Sequence, residues 1–108
     1  MSRQNLYKMN IGSYIKNLRT EKNKTLHQVA VGTNIDATLL SKIERGSRFA
    51  TDEQLSKLAH FFDIPLVNLQ SKSIAEKIIK EYGLNEITVN ALHLLQEEFE
   101  TYKTAKND

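Results

Sequence analysis

Four side chains able to donate hydrogen bonds crowd the last ten residues, 37–46, of the stretch TNIDATLLSKIERG: Thr38, Ser41, Lys42 and Arg45. On a helix turning about 100° per residue they share an arc of about 140° with Ala37, while Leu39, Leu40 and Ile43 fall on the opposite side. One face anchors and the other displays. The displayed face is small near its N-terminus and cationic near its C-terminus. Its chemistry is hydrogen bonding and charge neutralisation, and its shape lets a helix enter the major groove of B-DNA, about 12 Å wide, without a steric barrier.

Bond-making chemistry is poorly supported elsewhere. His27, His60 and His93 lie far apart and make no metal-ligand spacing, and there is no cysteine for a thiolate ligand, a nucleophile or a disulfide. There is no glycine-rich phosphate loop, no G-x-S-x-G elbow and no recognisable catalytic pair of acids. The sequence therefore predicts no enzyme, no metal and no cofactor, and shows no small-molecule ligand. Charge is segregated: residues 1–50 carry nine Lys or Arg against three acids, and residues 51–108 carry six against ten. The basic half suits a polyanion and the acidic half suits protein or water. No apolar run reaches the roughly 18 residues of a membrane span. With no signal peptide and no cysteine, a cytoplasmic protein without membrane contact is expected.

The elements that must position the displayed face are helical. One proline, four glycines and no alternating β-branched runs leave strands unsupported in a chain that is 40% apolar and 26% charged. Asn10 caps a first helix with Ile11, Tyr14, Ile15 and Leu18 on one stripe, fraying near residues 22–24. Thr25 and Gln28 have capping-box spacing and open a short second helix to Thr33, with Asn34 as a left-handed turn residue. Asp36 is placed to cap a third helix, Ala37 to Arg45, with Gly46 as its stop. Thr51 and Gln54 repeat the capping box before a fourth helix bearing Leu55, Leu58, Ala59 and Phe62. Pro65 starts a one-turn fifth helix with Leu66 and Leu69. The residues QSKS, 70–73, read as a linker, followed by a helix ending at Gly83 and a last one from Asn85 to about Lys103, with the final five residues frayed.

Two short helices joined by a tight turn, the second displaying such a face, make a helix-turn-helix arrangement. On the segments IKNLRTEKNKTLHQVA, NIDATLLSKIERG and LSKLAHFFDIPLVNL, residues 11–69 resemble the phage-repressor-like, Cro/Xre helix-turn-helix family. The resemblance implies an all-α fold: a five-helix DNA-binding domain over residues 10–70, preceded by a tail, residues 1–9, and followed by two helices, residues 71–108. It implies double-stranded DNA as partner, base contacts at Ala37, Thr38, Ser41 and Lys42, and a phosphate contact at Arg45. Lys24, His27, Ser47 and Arg48 flank the groove helix and are further phosphate candidates. The family's ion pair maps to Arg19 and Glu44. Where the family often has glutamine after the second cap, a proline before the fourth helix and a glycine at the turn, this chain has Leu26, Ala50 and Asn34.

In the C-terminal extension Leu92, Leu95, Phe99 and Tyr102 recur at spacings of three, four and three, widened by Ile87, Ala91 and Leu94. Such a seam serves either a second protomer or packing back on the DNA-binding core. A homodimer would read a palindromic operator through two groove helices. In layout the chain is similar to restriction-modification controller proteins and small phage repressors. The expected function is a dimeric transcription regulator; the alternative is an antitoxin-type interaction module whose C-terminal helices bind a partner protein and whose DNA binding is autoregulatory.

Overall fold

The computed structural model describes residues 10–107. The expected tail, with Arg3 and Lys8, lies outside them. The described residues form six helices and no strand: α1 (Ile11–Glu21), α2 (Leu26–Thr33), α3 (Ala37–Glu44), α4 (Asp52–Phe62), α5 (Leu66–Tyr82) and α6 (Glu86–Asn107).

Local chemistry sets most of the boundaries. The Asn10 side chain accepts from Ser13 N–H, and both capping boxes are complete: Thr25 with Gln28 and Thr51 with Gln54 each exchange side-chain and backbone hydrogen bonds of 2.8–3.2 Å. Asp36 stands at the cap position of α3 but its side chain makes no cap hydrogen bond. Its backbone stands at φ −53, ψ 133, and position alone does not deliver the bond.

The first four helices stop in the same way. A left-handed residue, Asn23, Asn34, Gly46 or Asp63, turns the chain. The next N–H then reaches back to the last full turn: Lys24 to Arg19 O, Ile35 to Ala30 O, Ser47 to Lys42 O and Ile64 to Ala59 O, at 3.0–3.1 Å. These are Schellman closures, and only one uses glycine.

The core of the N-terminal unit is formed by Ile11 and Ile15 of α1, Val29 and Ala30 of α2, Leu40 and Ile43 of α3, Leu55, Leu58 and Phe62 of α4, and Leu69 of α5, with Ile35 from the turn. Gly12 permits a close approach of α1 to α3, since a Cβ there would collide with the Ile43 and Glu44 carbonyl oxygens.

The expected linker at residues 70–73 is helical, and the separate fifth and sixth helices of the sequence reading are one, α5. Two compact units divide between Glu76 and Lys77, within that helix. Residues 71–76 thus belong to the N-terminal unit. The reason is a buried stripe that turns polar: Leu69, Ser73 and Glu76 continue one face of α5 at spacings of four and three, and all three are buried. Glu76 Oε1 accepts the Ile11 N–H at 3.0 Å. In the C-terminal unit Asn85 Oδ1 accepts from Thr88 N–H at 2.9 Å and opens α6, which continues to Asn107 rather than fraying after Lys103.

Candidate nucleic-acid interface

The α3 helix has only eight residues and would be marginal alone, so its orientation comes from what holds its inner face. Leu40 and Ile43 are fully buried, and Leu39 packs against the same core. At the C-terminal end, Arg19 of α1 grips Glu44 with two hydrogen bonds, Nε to Oε2 at 2.8 Å and Nη2 to Oε1 at 3.0 Å. Its third donor, Nη1, reaches the Lys24 carbonyl at 3.1 Å, tying α1, α3 and the turn before α2 together. Hydrogen bonding to Glu44, reinforced by its charge and opposed by burial, raises the Arg19 guanidinium above its ordinary pKa. Arg19 is a strut.

The outer face carries Thr38, Lys42 and Arg45, all exposed, with Ser41 half-buried between them. Ala37, also half-buried, packs its methyl partly against the core. Arg45 Nη1 donates to Ser41 Oγ at 2.8 Å, one turn back. That bond uses an acceptor site on the hydroxyl and leaves its hydrogen to donate. Ser47 Oγ donates to the Lys42 carbonyl at 3.1 Å and helps close α3, so its hydroxyl hydrogen is engaged. Lys24, His27 and Arg48 are exposed on the segments flanking α3. Leu26, in place of the family's glutamine, packs against the core.

One group of residues escaped the sequence reading. Asn10, Ser13 and Lys16 of the α1 segment line a polar groove of about 460 Å³ together with Arg19, Leu26, Ser41, Glu44 and Arg45. Ser13, Lys16 and Arg19 recur every third residue, which places them along one side of α1. That spacing was the available signal. Among the described residues, no His, Asp and Glu group is arranged to hold a metal ion, and no helix is long and apolar enough to cross a membrane.

A short helix braced from behind, set by a tight turn against its predecessor and bearing donors outward, defines a helix-turn-helix DNA-binding domain. The model of the family described as Helix-turn-helix matches residues 15–69, half of the chain, and the chain belongs to that family, of the Cro/C1 type. It is a DNA-binding transcription regulator.

Solved structures extend the comparison. The clp gene regulator ClgR from Corynebacterium glutamicum superposes with a TM-score of 0.54 at 19% identity, covering 87% of this chain and 86% of that one. A second structure of ClgR from C. glutamicum gives 0.53 at 20% identity, over 63% of this chain and 88% of that one. At such identities the likeness is one of fold. A mutant of the restriction-modification controller protein C.Esp1396I gives 0.50 at 33% identity, over 63% of this chain and 92% of that one. No curated protein sequence matches the chain significantly.

Proposed function

We propose that the protein binds a palindromic operator as a homodimer, each protomer placing α3 in a major groove, and regulates transcription by occupying that site without a chemical step. The observation that carries this reading is the division of α3 into a face locked by Leu40, Ile43 and the Arg19–Glu44 pair and a face of outward donors. Thr38 and Ser41 donate to base edges, Lys42 serves guanine O6 or N7, and Ala37 offers its methyl to thymine. Arg45, Lys24, His27 and Arg48 neutralise phosphates. Ser47 joins them by exchanging its bond to the Lys42 carbonyl.

Dimerisation is supported by the C-terminal unit. Leu92, Leu95, Phe99 and Tyr102 are 45–59% exposed along α6, an apolar face too long for a solvated monomer surface. Two copies joined there would read half-sites about 34 Å apart. The similarity to a restriction-modification controller protein supports the regulatory reading.

The test is selection from a randomised duplex library followed by titration of the selected site. Lys42→Ala or Thr38→Ala should change which bases are preferred, whereas Arg45→Ala should weaken selected and scrambled duplexes alike. Unchanged preference in both α3 variants overturns the groove assignment, and a monomer at every concentration overturns the dimer.

A further inference from the structure

The groove between α1 and α3 has a chemistry that base reading does not use. Glu44 is the acid in its lining, and Arg19 neutralises it through the bidentate pair. Lys16 on α1 and Arg45 on α3 therefore leave the groove with net positive charge. Ser13 adds a hydroxyl beside Lys16, and both side chains are exposed to whatever enters. Arg45 spends one guanidinium donor on Ser41 and keeps others free to turn outward. Donors from two helices thus converge on one concave surface, a pattern that fits a tetrahedral anion with several acceptor oxygens.

Position identifies the anion. Ser41 and Arg45 belong both to this groove and to the outward face of α3. A helix lying in the major groove has a phosphate ridge along each lip, so the lip beside the C-terminal half of α3 meets the α1 groove. We propose that this groove holds one backbone phosphate of the DNA, with Lys16 as its cation, Ser13 as a hydroxyl donor and Arg45 closing it from α3. The contact extends the footprint onto α1. This inference rests on the placement of α3 in the major groove argued above.

The test uses the full chain and two duplexes, the selected site and a scrambled one, over a range of salt concentrations. Each phosphate neutralised contributes about 0.9 to the slope of log K against log salt. Lys16→Gln should lower the slope by about that amount and weaken both duplexes by roughly three- to tenfold at 0.1 M salt. Ser13→Ala should weaken both by a smaller factor. Because both residues are exposed, thermal unfolding should match the parent chain. Ethylation interference should show one phosphate whose modification weakens the parent chain and no longer matters in Lys16→Gln.

Parent affinity and slope in Lys16→Gln on both duplexes overturn the proposal. So does a change in sequence preference, which would make Lys16 a base contact. Saturable binding of inorganic phosphate to the chain alone, at constant ionic strength and lost in Lys16→Gln, would mark a general anion site and overturn the assignment to DNA. Failure of the α3 reading is distinguishable, since it appears as no preference between duplexes in the parent chain.

Discussion

Glu76 Oε1 accepts the backbone N–H of Ile11 at 3.0 Å, joining residues 65 positions apart. A buried carboxylate from the middle of α5 thereby satisfies a free donor at the start of α1 and sets negative charge at the positive end of that helix. Glu76→Ala should lower stability by about 1–3 kcal/mol, the cost of stranding a buried polar group. Glu76→Gln keeps an acceptor and should cost less. Urea unfolding of the two variants checks the order, and equal stabilities would show that the carboxylate does not support α1.

The Arg19–Glu44 pair makes a contrasting prediction. Its side chains are 14% and 6% exposed, so removing one partner leaves a charge with little water to replace it. Arg19→Met should cost about 3–5 kcal/mol, and Arg19→Met combined with Glu44→Leu should regain much of that loss. Denaturant midpoints for the single and double variants measure the coupling.

Gly12 tests the α1–α3 crossing by its sign. In an exposed helix, Gly→Ala stabilises by roughly 0.5–1 kcal/mol. Here the new methyl meets the Ile43 and Glu44 carbonyls, backbone atoms that cannot rotate away. Overpacking of this kind costs about 1–3 kcal/mol, which outweighs the entropic gain. Gly12→Ala should therefore lower the melting temperature and weaken DNA binding by displacing α3.

For the α6 seam, Leu95→Glu places charge on a half-exposed apolar position. It should abolish the proposed dimer in sedimentation equilibrium. The unfolding of the N-terminal unit, whose core lies on other residues, should be unchanged.

What was legible in the sequence was local. Each capping box is a two-residue code three positions apart, and Asn34 and Gly46 announce a left-handed backbone by residue type. Asn23 and Asp63 perform the same closure, yet surface asparagine and aspartate are too common for type alone to single them out. The linker expectation at residues 70–73 failed for a different reason. Hydrophobic periodicity follows apolar residues, and the buried stripe of α5 continues through Ser73 and Glu76, whose burial becomes reasonable only with a partner such as Ile11 N–H in view. Asp36 shows the converse, the right residue type without the bond. The Arg19–Glu44 pair came from family resemblance; periodicity cannot link residues 25 apart. The polar groove at Lys16 was hidden because its walls come from different helices.

The separation of the two sides of α3 also bears on how such a protein can be retargeted. Thr38 and Lys42 point to solvent, while the residues that fix the helix point inward. Exchanging the outward pair for other side chains should move folding stability by no more than about 0.5 kcal/mol. Under the proposed base-reading role of Thr38 and Lys42, new addresses on the genome would be open to this scaffold through one or two codon changes, with no compensating repair in the interior.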